Sequence, residues 1–274
     1  MQNVLDKFNM RGRTVLVTGG GGLLGRQFAL ALAQAGADVM LADLAYEAAA
    51  DQAEVIRAEG LSAAALAVDV IDPDSTREMV QQTLARFGRL DVLINSAALD
   101  PKFDPQHQSE QAANAFETYS LEAWRKALDV NLTGMFLASQ AAVQPMLAQS
   151  QGVIINICST YGLNGPDQRI YSRPDGTRSY KPVYYSVTKA GVLGFTRYLA
   201  AYYAGKNIRV NALTPGGVYN QHDDVFVKAY SAKTILGRMA NIDEMSAAML
   251  FLASDASSYM TGANLIVDGG WTAW

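Results

Sequence analysis

The stretch Thr14-Val15-Leu16-Val17-Thr18-Gly19-Gly20-Gly21-Gly22-Leu23-Leu24-Gly25 decides the fold. Its first five residues, four of them β-branched, read as a buried strand, and Leu23 opens a helical pattern that runs to Ala35 before Gly36. Between the two, Gly20, Gly22 and Gly25 fit the fingerprint with which a strand–turn–helix holds a dinucleotide. Glycines permit the tight turn and let the backbone approach a pyrophosphate closely. Gly19, Gly22, Leu23 and Leu24 lie around the helix N-terminus, where free amides and the positive end of the helix dipole favour an anion.

The same rhythm continues outward. Val39–Ala42, Ala64–Val68, Val92–Ile94, Val153–Ile157, Ile208–Leu213 and Asn264–Val267 read as strands. Tyr46–Glu59, Pro73–Phe87, Leu121–Leu147, Val183–Tyr203 and Met245–Leu252 read as helices. Aliphatic strands that alternate with helices predict an α/β fold: one doubly wound (Rossmann) domain over residues 1–274, with about seven parallel strands and helices on both faces. Two polar stretches, Asp100–Tyr119 and Leu163–Pro182, break the rhythm, and loops that long are often lids or binding loops. Both follow strands whose C-terminal ends should border the ligand cleft of an open α/β sheet.

Asp43 ends the second strand, 18 residues beyond Gly25. A carboxylate there can accept hydrogen bonds from the adenosine ribose and repels a 2′-phosphate, and its neighbours Ala42 and Leu44 offer no arginine. NAD is therefore the expected cofactor. Asp69 and Val70 end the third strand, near the place of an adenine, and Asn95, Ser96 and Ala97 end the fourth, where small residues let backbone lie against the cofactor. No metal is expected: His107 and His222, the only histidines, lack ligand spacing and read as loop residues.

Composition narrows the setting. The 274 residues carry a net charge of -4 without a basic run, which argues against nucleic acid as a partner. A lone cysteine, Cys158, forbids a disulfide framework within the chain and points to a reducing compartment. Neither a basic-then-apolar start nor an apolar run of about 18 residues is present, so the expected location is cytoplasmic, with no membrane contact.

Tyr185 and Lys189 stand four residues apart, so on a helix they share a face. A tyrosine of pKa near ~10 is a poor acid–base group at neutral pH, and a neighbouring cation lowers that value toward the useful range.

With these pieces in order, the chain resembles the short-chain dehydrogenase/reductase family, in its short single-domain branch and over nearly its whole length. Asp129-Val130-Asn131, Ser159 after its strand, Pro215-Gly216 and Asp268-Gly269-Gly270 extend the likeness. The resemblance implies an NAD(P)-dependent oxidoreductase that moves a hydride between nicotinamide and a secondary alcohol or ketone. It gives Tyr185 proton transfer, Ser159 a hydrogen bond to the substrate oxygen, and Lys189 the lowering of the Tyr185 pKa together with the nicotinamide ribose. Asn131 would stabilise the active geometry through a water that links it to Lys189. Cofactor contacts would extend to Pro215, Gly216 and Val218. Family members commonly pair their long helices, so a homodimer or homotetramer is expected, with Trp271 and Trp274 buried against a neighbouring subunit or helping to close its active site.

The chain departs from the family pattern in three places. Leu23 stands where the middle glycine is usual, Ala98 stands where glycine is usual, and Ser159 lies 26 residues before Tyr185, about twice the common spacing. The extra segment, Leu163–Pro182, carries Arg169, Arg173, Arg178 and Lys181 against Asp167 and Asp175, which suits a lid over a polyhydroxylated or anionic small-molecule substrate. Gly165–Tyr171 and Pro215–Asn220 look like a bacterial subgroup associated with flagellin-glycan and nonulosonic-acid pathways, which implies a sugar derivative. Two other functions fit parts of the pattern. The Gly19, Gly22, Gly25 spacing suits an epimerase or dehydratase with tightly held NAD, although such a chain would need a further substrate domain. A silent NAD-binding protein would have no need of Ser159 and Tyr185 together.

Overall fold

The computed structural model describes residues 3–100, 114–172 and 178–274. In chain order it contains β1 (Thr14–Thr18), α1 (Leu23–Gln34), β2 (Asp38–Asp43), α2 (Tyr46–Ala58), β3 (Ala63–Ala67), α3 (Pro73–Phe87) and β4 (Val92–Asn95). Then come α4 (Leu121–Leu128), a π turn (Asp129–Thr133), α5 (Gly134–Ala148), β5 (Gly152–Ile157) and α6 (Val183–Tyr202). The chain closes with β6 (Ile208–Pro215), α7 (Asp224–Ser231), α8 (Ser246–Ala253) and β7 (Asn264–Val267).

All seven strands are parallel, in the order β3-β2-β1-β4-β5-β6-β7. Alternation along each strand sends side chains to two cores. Val15, Val17, Leu41 and Ile155 pack under α1, α2 and α8, through Phe28, Leu32, Ile56 and Met249. Leu16, Met40, Leu93 and Ile154 pack under α3, α5 and α6, through Met79, Ala142, Met146 and Leu199. The direction of strand succession reverses between β1 and β4, so a crevice opens beyond their C-terminal ends.

The observed elements depart from the sequence reading in two instructive places. The helix expected over Leu121–Leu147 is interrupted by the π turn, whose extra residue per turn carries Asn131 into a buried position, 2% exposed. Between Ile208–Leu213 and Met245–Leu252, where the sequence reading has no element, lies α7. Asp223 caps it by accepting from Phe226 N at 3.0 Å, and Phe226 and Tyr230, one turn apart, are its buried residues. His107, Arg173 and Asp175 lie outside the described residues.

Candidate active site

The glycine turn is built by close contacts that only glycine allows. A Cβ on Gly25 would stand 2.1 Å from Gly19 O, and one on Gly19, whose φ is +68°, would stand 2.8 Å from the Ala97 backbone. The turn is tied down by Gly20 N donating to Ala42 O at 3.1 Å and Gly22 N donating to Gly19 O at 3.0 Å. Gly22 caps α1 without a side-chain bond, which leaves the first-turn amides at Leu23 and Leu24 to an incoming anion. This cradle fits a pyrophosphate.

Asp43 accepts from Gly21 N through Oδ2 at 2.9 Å and from Ala45 N through Oδ1 at 3.0 Å. It therefore fastens the glycine turn to the start of α2 while each oxygen keeps a second lone pair for a ribose hydroxyl. Leu44 is 75% exposed beside it. An arginine that the sequence reading did not weigh also reaches this end: Arg26 Nε donates to Gly21 O at 2.7 Å.

At the third strand, Asp69 Oδ1 accepts from Ile71 N at 3.1 Å, and buried Val70 lies against Gly134, where a Cβ would meet its side chain at 2.7 Å. Asn95 is turned inward. Its amide donates to Ser139 Oγ at 2.9 Å and to Asn156 Oδ1 at 2.8 Å, so its side chain serves the core rather than a cofactor. Ser96 N and Ala97 N both donate to Thr18 Oγ1 at 3.3 Å. Pro215 and Gly216 end β6, Gly216 N donating to Val267 O at 2.9 Å, and Val218 bridges Ala240 across the rim.

Ser159, just past β5, lies beside Tyr185, at the start of α6, close enough to act on its acidity. Tyr184 instead packs on Tyr119, ring centres 6.1 Å apart, so Tyr185 is the phenol that meets the serine. Lys189 Nζ, one turn on, donates to Ile157 O at 2.9 Å and lies 5.7 Å from the Tyr185 ring centre. Gly162, just past Ser159, presses on this helix: a Cβ there would lie 2.6 Å from the Lys189 carbonyl carbon and 2.8 Å from Cys158 Sγ. Asn131 clamps the backbone of Leu99, accepting from its N at 2.7 Å and donating to its O at 3.1 Å. It also donates to Thr188 Oγ1 at 3.2 Å, which joins the strap after β4 to α6.

The Tyr185 acidity departs from expectation. Burial pushes its phenol well above the ordinary value, Asp100 adds to the rise, and Ser159 opposes both. Lys189, itself buried, has its ammonium pushed down by the loss of water, and it spends a proton on Ile157 rather than approaching the phenol oxygen.

An aromatic wall missed by the sequence reading closes the other side. Tyr161 stands edge-on to Tyr185 at 6.4 Å and accepts from Tyr171 Oη at 2.8 Å, and Trp271 stacks on Tyr230 at 4.2 Å. Trp271 is thus 7% exposed within its own chain, whereas Trp274 is 75% exposed and donates to Lys233 O at 3.0 Å. The expected burial of both against a neighbour gives way, for Trp271, to packing on α7, an element that the sequence reading lacked. His222 stacks on Phe226 at 5.0 Å, at the rim. Among the described residues no group of three or more His, Cys, Asp or Glu side chains could hold a metal.

The inserted segment sorts its cations. Arg169 is 87% exposed and bound to Asp167, and Arg178 is exposed. Lys181 alone among the described cations of the insertion turns inward. Its Nζ lies 4.0 Å from the Tyr185 ring centre and bonds Asp100 Oδ1 at 2.5 Å. Gln168 holds it by both backbone groups, accepting from Lys181 N at 2.9 Å and donating to Lys181 O at 3.0 Å.

Comparison with known proteins agrees with this geometry. Residues 22–272 match a family model described as enoyl-(acyl carrier protein) reductase. The chain is 36% identical over 266 residues to a cis-4-hydroxycyclohexanecarboxylate dehydrogenase of Sinomonas cyclohexanicum, covering 95% of this chain and 97% of that protein. It is 33% identical to a D-threitol dehydrogenase of Mycolicibacterium smegmatis, over 97% of this chain and 95% of that one. A gluconate 5-dehydrogenase from Burkholderia cenocepacia, solved with NADP and tartrate, superposes with a TM-score of 0.85 at 31% identity, covering 99% of this chain and all of that one. No helix among the described residues is long and apolar enough to cross a membrane.

Proposed function

Because this chain belongs to the short-chain dehydrogenase/reductase family, we propose that it transfers a hydride between NAD and a secondary alcohol or ketone held on Ser159 and Tyr185. The observation that carries this reading is the juxtaposition of Ser159 and Tyr185, with Lys189 one turn away and the glycine cradle at the same edge of the sheet. Tyr185 gives or takes the proton on the substrate oxygen, and Ser159 donates a hydrogen bond that steadies that oxygen as its charge changes. Lys189 is positioned for the nicotinamide ribose, while Asn131 keeps the strap at Leu99 from swinging across the site. When bound, the nicotinamide gives or accepts the hydride. Burial of Tyr185 would be offset in part by the positive charge that an oxidised nicotinamide would supply.

The substrate class is a polyhydroxylated, cyclic or anionic small molecule, supported by relatives named for threitol, hydroxycyclohexanecarboxylate and gluconate. The likeness of Gly165–Tyr171 to the flagellin-glycan subgroup adds a sugar derivative to that class. Mixing the purified protein with NAD or NADP and such alcohols, while following absorbance of the reduced cofactor, tests the reading. No reduction with any of them would overturn it.

NAD rather than NADP rests on Asp43, which faces the ribose end with two oxygens already oriented by Gly21 and Ala45. Asp43→Ala should weaken NAD and relax discrimination against NADP, because the repelling carboxylate is removed. A tighter dissociation constant for NADP than for NAD in the unmodified protein would sink the assignment, with Arg26 then the natural partner of the extra phosphate.

Assembly into dimers or tetramers is supported by apolar side chains left exposed on the long helices: Leu121, Phe136, Val187, Tyr198 and Tyr202. Tyr198 and Tyr202 stack on one another at 5.9 Å on the open face of α6. Light scattering at micromolar concentration should report at least a dimer, and a monomer would reject this.

A further inference from the structure

We propose that the substrate is a compact hydroxy acid, or the matching keto acid, whose carboxylate binds the Lys181 ammonium in place of Asp100; this rests on the oxidoreductase reading above. The two partners of that ion pair differ in what they can do. The Lys181 side chain is 13% exposed and its backbone is gripped by Gln168, whereas the Asp100 side chain is 57% exposed. An ammonium so poor in water needs an anion at hand. Asp100 can swing back to solvent cheaply, since a half-exposed ion pair contributes little. The arrangement keeps a cation ready and lends it a removable counter-ion.

Position narrows the ligand further. Lys181 Nζ is 4.0 Å from the centre of the ring whose hydroxyl takes the substrate oxygen. A carboxylate reaching it must stand only a few bonds from the reacting carbinol. Three other described cations are engaged elsewhere, Lys189 by Ile157 O and Arg169 and Lys233 both by Asp167, and Arg178 is exposed. A neutral polyol would leave the Asp100–Lys181 pair closed beside Tyr185 and gain nothing from it.

Kinetics with matched pairs test the inference: gluconate against sorbitol, and 4-hydroxycyclohexanecarboxylate against cyclohexanol. The acid of an accepted pair should show kcat/KM about 10- to 100-fold above its neutral partner, the share of one charge-assisted hydrogen bond. Lys181→Met should erase that advantage, Lys181→Arg should keep most of it, and exposed Arg169→Ala should leave it intact. Equal turnover of both members by the native protein overturns the inference, as does an advantage that survives in Lys181→Met. Binding supplies a readout independent of turnover. Tartrate should raise the melting temperature of the NAD-saturated protein, and Lys181→Met should remove the shift; no shift in the native protein also overturns the inference. Turnover of neutral alcohols alone would sink only the carboxylate. Tartrate binding through Lys181 without turnover of any alcohol would sink the hydride-transfer reading and leave the carboxylate site standing.

Discussion

Tyr185→Phe is expected to lower kcat by at least ~10²-fold, the usual share of acid–base catalysis, while leaving the dissociation constant for NAD nearly unchanged. The ring makes edge contacts with Tyr161 and Tyr184 and lies under Lys181, and phenylalanine preserves all three. Only the hydroxyl beside Ser159 is lost. Tyr184→Phe is the control, because that ring packs on Tyr119 and does not meet the serine. Steady-state rates paired with a fluorescence titration of NAD decide the matter. Full activity in Tyr185→Phe together with loss in Tyr184→Phe would move the proton transfer to Tyr184 and overturn the assignment.

Gly25→Ala should be nearly as damaging by a different route. Its methyl group would stand 2.1 Å from Gly19 O, so α1 must back away from the turn. Overpacking of this kind costs about 1–3 kcal/mol. If the strain falls on the pyrophosphate cradle, 2 kcal/mol corresponds to roughly a 30-fold weaker dissociation constant for NAD. Gly194→Ala provides the contrast, since a Cβ within α6 at that position meets nothing within 4 Å and alanine is the better helix former. Isothermal titration should show NAD binding weakened by about that factor in the first variant and kept in the second. Native-like NAD affinity in Gly25→Ala would mean that the turn does not hold the cofactor.

The glycine turn is legible in sequence because strand, turn and helix follow one another and Gly25 answers Gly19 within the turn itself, even though Gly19 answers Ala97 of a distant strand end. Tyr185 and Lys189 are legible from their spacing on one helix face, whereas Asn131 and Ser159 follow only from what the resemblance to the family implies. What could not be read depends on partners distant in the chain. The apolar pattern runs unbroken through Asp129–Thr133, so nothing marks the π turn; Asn131 is drawn inward by Leu99, 32 residues away. Lys181 looks like one charge among several until Gln168 grips its backbone and Asp100, 81 residues away, meets its ammonium. The Tyr185 acidity was misjudged because spacing reports that Lys189 shares its helix face, but not how much water the pair has lost. Trp271 illustrates the reverse error, since a position near the chain end suggests exposure and α7 supplies cover. A cap signal at Asp223 followed by aromatics one turn apart, Phe226 and Tyr230, could have revealed that helix.

The contact at Gly162 bears on how such a site can be altered. The gap between the serine-bearing turn and α6 is set by the absence of a single methyl group, since any Cβ there would strike the Lys189 backbone. Tolerance to change is therefore uneven, and it does not follow distance from the ligand. Exchange for another alcohol is better aimed at Lys181 and at the α7 side chains Phe226 and Tyr230, which line the Tyr185 side. Residue 162 touches no substrate, yet it behaves as a fixed spacer, and a library aimed at new specificity should leave it alone.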